Sequence, residues 1–244
     1  MYHLRLFFSK ISDTGLKLDK DLHGSHLNLS VSSVLNLSVL FLQNSDYDKH
    51  IKRNTTGLYA KGEINSIFYE GEGYYQFGTS GANDIQALLL AGSVGYKIPM
   101  SFKPSIAIFT DYLSGDNNTS DKTEKVFDTL YATNHKFYGF MDYYLNIPKD
   151  TKQLGLIDSG VKLSLAPTEK GTLNIHAHNF IYAQDNAKAE NALGQEIDLV
   201  YDCKMNQVAI ISFGASAFMP GDVYKNQNKD EIETFVYTSL NFQL

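Results

Sequence analysis

The chain has 244 residues, 43% hydrophobic and 13% aromatic, with a formal net charge of −6. This content excludes a disordered chain, and the acidic balance argues against a nucleic-acid partner. A single cysteine, Cys203, excludes an internal disulfide framework and an all-cysteine metal site.

The dominant sequence period is two, the mark of strands that are apolar on one face only. A first strand is expected at 2–11. Leu27, Leu29 and Val31 alternate with Asn28 and Ser30 in a strand at 25–32, and Leu35, Leu37 and Val39 with Asn36 and Ser38 at 34–43. The next strand, 55–64, carries Lys61 and Glu63. At 67–77, Glu70, Glu72, Tyr74 and Gln76 share one face, with Tyr69, Gly71, Gly73, Tyr75 and Phe77 on the other. Strands at 86–98 and 105–113 carry Lys97 and Asp111. At 155–166, Asp158 and Lys162 oppose Ile157, Val161, Leu163 and Leu165; at 172–183, His176 and His178 oppose Leu173, Ile175 and Ala177. At 195–205, Glu196, Asp198, Asp202 and Lys204 oppose Ile197, Leu199, Tyr201 and Cys203, and strands at 207–218 and 232–244 follow. The reading is an all-β antiparallel chain of about twelve strands. All five prolines fall between these runs, as strand chemistry requires.

The connections sort by length. Short ones are expected near Ser33, Asn65-Ser66, 100–103, 168–171 and Asn206, and long polar ones at 44–54, 78–85, 114–136, 184–194 and 219–231. Tight turns at one end and loops at the other are the asymmetry of an outer-membrane barrel, where the apolar face meets lipid and the polar face lines the lumen. Tyrosine and phenylalanine at strand ends (Tyr59, Tyr69, Tyr75, Phe77, Tyr96, Tyr112, Tyr138, Phe140, Tyr143, Tyr144, Tyr182, Tyr237) read as interfacial girdles. The alternative is a soluble or surface all-β domain that holds a carbohydrate on its tyrosines.

Three stretches carry a family resemblance: Gly73-Tyr74-Tyr75-Gln76-Phe77-Gly78, Asp111-Tyr112-Leu113-Ser114-Gly115-Asp116, and 131–144, which reads YATNHKFYGFMDYY. With Glu196-Ile197-Asp198-Leu199 and Phe218-Met219-Pro220-Gly221-Asp222, they resemble the alginate-export family of bacterial outer-membrane barrels across most of 20–244. The resemblance implies a single-domain transmembrane barrel over 1–244, part of a larger barrel of about eighteen strands. It also implies a porin-like, non-enzymatic channel that needs outer-membrane lipid and the barrel-assembly machinery and passes a polysaccharide or small hydrophilic solutes. No signal peptide is present at Met1 to Lys10, so further strands and a leader are expected upstream.

On this register the lumen is lined by Lys61, Glu63, Glu70, Glu72, Gln76, Lys97, Asp111, Asp158, Lys162, His176, His178, Glu196, Asp198, Asp202 and Lys204, eight acids against four lysines. That balance suits cations or neutral solutes better than a uronate polymer. Asn134, His135, Lys136, Phe137, Tyr138 and Asp142 are expected in a folded loop that narrows the pore. No cofactor is called for. His176 and His178 point the same way on a strand, but without a third local ligand they are read as wet lumen residues, not a metal site. His135, Asn134 and Asp142 lack a serine elbow to act on, so no catalysis is assigned to them. The outer-membrane lipid-modifying enzymes stay as the weaker alternative. Asp116, Asn117, Asn118, Asp121 and Asp128 lack the order of a calcium loop and read as a solvated tip. Gly71 and Gly73 fit a close backbone approach, a bend in the barrel wall or a groove under an aromatic of the next strand.

Overall fold

The computed structural model describes residues 2–11, 20–118 and 120–242. Long antiparallel strands follow one another in chain order: β1 (Tyr2–Ile11), β2 (Lys20–Ser32), β3 (Leu35–Asp46), β4 (Ile51–Ile64), β5 (Ile67–Ser80), β6 (Asn83–Lys97) and β7 (Ser105–Leu113). A two-residue strand β8 (Thr123–Glu124) interrupts, and β9 (Leu156–Leu165), β10 (Gly171–Ile181), β11 (Ala192–Lys204), β12 (Ala209–Pro220) and β13 (Glu233–Phe242) complete the sheet. Each long strand pairs with its sequence neighbour, β7 with β9, and β8 lies parallel to β6. The twelve expected strands are all present, and β8 makes the sheet thirteen-stranded. Among the described residues no pairing joins β1 to β13, so the sheet is open. The expected end of the last strand, Gln243 and Leu244, lies outside the described residues.

Two expected long loops are hairpins instead. The β3–β4 connection is only 47–50 and the β5–β6 connection only 81–82. Asn44 to Asp46 and Gly78 to Ser80 are polar, which reads as loop, yet their backbone groups stay paired with Ile51 to Arg53 and Asn83 to Ile85. A ladder satisfies backbone polarity whatever the side chains are. Gly81 (φ +60°) and Asn65 (φ +59°) take the left-handed conformation that such tight turns need. The sorting of connections survives in the rest: 114–155, 182–191 and 221–232 are long and lie at the same end as those two hairpins. The opposite end carries 33–34, 65–66, 98–104, 166–170 and 205–208.

One face of the sheet is apolar and exposed. Leu58, Tyr75, Leu90, Val94, Ile108, Ile197, Leu199, Phe213 and Val236 are all more than one-third exposed, and each occupies the same side by register. Exposed apolar area of this extent is not a soluble surface. The opposite face is polar and is covered over much of its loop end by 114–155. That connection brings its own core: Phe127, Tyr138, Tyr144 and Ile147 pack with Ala87, Leu89, Leu113, Leu156, Phe180 and Phe218 of the wall.

This core corrects the girdle expectation. Tyr69, Tyr75, Phe77, Tyr96 and Tyr112 do lie on the exposed side, but Tyr59 and Tyr237 share the covered face. Tyr138, Phe140, Tyr143 and Tyr144 belong to the folded connection, and Tyr182 packs in the same core. A loop folded onto a polar wall must carry apolar side chains to hold itself there. The groove under an aromatic is likewise at Gly57 beneath Tyr74, Gly95 beneath Phe68 and Gly214 beneath Tyr237, not at Gly71 or Gly73. Among the described residues no helix is long and apolar enough to cross a membrane.

Candidate functional site

Strand register decides which side chains meet. Across the sheet, Asn36, Lys61 and Glu70 are successive partners, as are Glu72, Ala91, Asp111 and Asp158. The pairs Lys162–His176–Asp198–Ser216 and Gly160–His178–Glu196–Phe218 continue the pattern. Residues directly opposite share a face. Lys61, Glu63, Glu70, Glu72, Gln76, Lys97, Asp111, Asp158, Lys162, His176, His178, Glu196, Asp198, Asp202 and Lys204 therefore share the face on which 114–155 is folded. The register also puts Asp46 and Glu233 on this face on the acidic side and Arg5, Lys20 and Arg53 on the basic side; Asp46, Lys20 and Arg53 lie where the strands extend further than their sequence pattern. The acid excess narrows but keeps its sign.

Near the tight-turn end the groups are paired and open to solvent. Lys97 binds Glu63, and Tyr59 Oη donates to Glu70 Oε2 at 3.0 Å. Deeper in, His178 Nδ1 lies 2.8 Å from Asp158 Oδ2, its ring stacks on Phe180, and Lys162 Nζ sits 4.5 Å above the Phe109 ring. His178 is thus committed to a carboxylate and an aromatic. Among the described residues no group of three or more His, Cys, Asp or Glu is placed to hold a metal ion.

The connection is fastened to the wall at several points. Arg53, buried on β4, bonds to Glu124 of β8 and donates to Gln76 Oε1 at 2.9 Å. Gln76 in turn clamps the backbone of Asp128: Nε2 donates to its carbonyl at 2.8 Å and Oε1 accepts its N–H at 3.0 Å. Tyr131 Oη donates to Asn44 Oδ1 at 3.0 Å. On the far side, Met141 N–H donates to Glu196 Oε1 at 2.9 Å. Gly139, at φ +82°, lies so close that a Cβ there would come within 2.6 Å of the Glu196 carboxylate.

The expected loop residues divide into roles. Asn134 is buried and ties the loop to itself through Thr129 Oγ1 (3.0 Å) and the Leu145 carbonyl (2.8 Å). Tyr138 is buried, and burial pushes its hydroxyl well above the ordinary phenol value, as it does for Tyr144. His135 pairs with Asp142 at 2.5 Å and leans on Phe140; Lys136 lies over the Phe137 ring at 5.5 Å. Among the described residues no serine hydroxyl bonds to His135. The acidic tip is spent on turns: Asp116 accepts from Asn118 and Lys125 N–H groups, and Asp128 from that of Leu130. The Lys125 ammonium hydrogen-bonds Asp121 and holds its carboxyl below the usual range.

Arg53 and Glu124 escaped the sequence pattern. Arg53 preceded the expected start of its strand, although Arg53, Thr55 and Gly57 continue its alternation. Glu124 had no periodic neighbour at all.

A long chain-ordered antiparallel sheet, exposed and apolar on one face, polar and loop-covered on the other, is the wall architecture of an outer-membrane β-barrel protein. One solved structure agrees in fold. The chain is similar to OmpT of Vibrio cholerae at 10% identity and a TM-score of 0.51, covering 91% of this chain and 65% of that one. It is also similar to the NanC porin at 6% identity and a TM-score of 0.46, covering 100% of this chain and 99% of that one. No curated protein matches by sequence. The chain belongs to the alginate export family, whose model matches residues 4–238. Membership and fold together place it in the bacterial outer membrane as a channel protein.

Proposed function

We propose that the loop-covered face is the water-filled lumen of a non-enzymatic channel, and that 114–155 is its constriction. The observation that carries this is the fastening of that connection onto a polar, charged wall by Arg53, Gln76 and Glu196. A loop held across the lumen narrows a pore without closing it off from solvent at the other end. Closure requires β1 and β13 to pair with each other or with further strands, because lipid does not tolerate unpaired edges. Insertion by the barrel-assembly machinery and passage of a small hydrophilic solute or a polysaccharide follow from this reading. The acid excess favours cations and neutral solutes over uronates.

Thiol accessibility in liposomes tests the orientation. In a Cys203→Ser background, single cysteines replace Ser38 and Ser164 on the proposed lumen side and Val94 and Leu199 on the lipid side. A membrane-impermeant maleimide should label the first pair and spare the second. The reverse pattern would put the apolar face in water and the polar face out of it, and would contradict this orientation.

A further inference from the structure

Between the wall and the connection lies a cavity of about 220 Å³, bounded by β3 to β7 on one side and 127–138 on the other. Its lining combines two kinds of group. Glu72 and Asp111 supply carboxylates, and Tyr74, Phe127, Phe137 and Tyr138 supply aromatic rings. Glu72 and Asp111 are the partners of Ala91 on either side of β6. Two strand spacings therefore separate their backbones, about 10 Å, with a small side chain as the floor between them. That is the span of a single six-membered sugar ring with its substituents.

The charge of the cavity is one-sided. Its lining contains a third carboxylate, Asp128, already used to cap Leu130, and no lysine, arginine or histidine. Arg53 is paired with Glu124 and Gln76 and His178 with Asp158, while Lys162, over the Phe109 ring, attracts Asp111 from outside the cavity. Half-buried carboxylates with no base lining their cavity are costly to keep charged, and a bound cation relieves that cost. Aromatic faces attract the same cation through their quadrupoles.

We propose that this cavity is a binding subsite for a protonated amine carried on a ring-sized hydrophilic solute, such as an amino sugar. It rests on the channel reading only for the solute's route to the site. Neutral sugars of the same size bind less well, and a uronate is repelled. This makes the cavity a charge filter of the opposite sign to one built for polyuronates.

Three monosaccharides that differ chiefly in charge decide it: glucosamine, glucose and glucuronate, titrated at pH 7 and low salt into detergent-solubilised protein and read by saturation-transfer NMR. Glucosamine should bind about tenfold more tightly than glucose, with glucuronate weaker still. The isosteric variant E72Q/D111N should lose most of that preference, and each single variant part of it. Heat-modifiable gel migration, checked for every variant, shows that the barrel is intact. Equal binding of the three sugars, preference for glucuronate, no glucosamine binding, or a preference unchanged in folded E72Q, D111N or the double variant would overturn the proposal. Because the readout is equilibrium binding, it is separate from conductance: a protein that conducts without this preference sinks the subsite alone.

Discussion

Glu196 and Gly139 form a close joint between wall and connection. The Glu196 carboxylate accepts the Met141 N–H, and Gly139 passes close over it in a left-handed conformation. Ala at 139 would meet both the conformational penalty of about 1–2 kcal/mol and the carboxylate itself. We expect Gly139→Ala to lift 137–142 from the wall, seen as faster proteolysis there and a larger single-channel conductance. Glu196→Gln retains an acceptor oxygen and should do much less. On the other face, Leu199 is exposed while its neighbour Asp198 is buried under the connection. Leu199→Arg should therefore cost about 2–4 kcal/mol of folding stability in lipid bilayers if it lies near the midplane, and Asp198→Asn clearly less. The facing of both residues is legible in the alternation of Glu196 to Lys204. The Gly139–Glu196 contact is not, because it joins an aperiodic stretch to a strand more than fifty residues away.

Among the elements, the 114–155 connection differs most from its sequence appearance. Its regular structure among the described residues is the two-residue β8 and the short 3-10 turn Asn134–Lys136, so no period announces it. Its aromatics are conspicuous, but a girdle and a packed loop call for the same residue types. Only three-dimensional packing distinguishes them. The strands were legible because one face is uniformly apolar; their polar extensions at Asn44 to Asp46 and Gly78 to Ser80 were not, because ladder pairing leaves no hydrophobic trace. Arg53 sits in such an extension and anchors β8. Arg53→Ala removes a buried charge-assisted bond and leaves Glu124 only partly solvated, for which we expect a local loss of about 1–3 kcal/mol. Amide exchange should quicken in 123–131 and stay slow in β9 to β12. Uniform quickening would show that Arg53 supports the whole sheet and not the connection.

At the scale of the whole molecule, the two faces assign the solvents: lipid to the exposed apolar side, water to the charged side. The acid excess on the charged side survives the additional residues that the register places there, and the cavity against that face is lined by no base. Water-filled pores gather counter-ions opposite in sign to their walls, and added salt weakens this as the Debye length falls from about 10 Å at 0.1 M to about 3 Å at 1 M. The most direct measurement is the reversal potential of the full-length protein in a planar bilayer under a KCl gradient. Discrete conductance steps should appear, with a reversal potential displaced toward that of K⁺ at low salt and a displacement that shrinks at high salt and in the variant with Glu72, Asp111, Glu196 and Asp198 neutralised. Absence of conductance in correctly folded, inserted protein, or a reversal potential displaced toward that of Cl⁻, would contradict the assignment of this face as an acidic lumen.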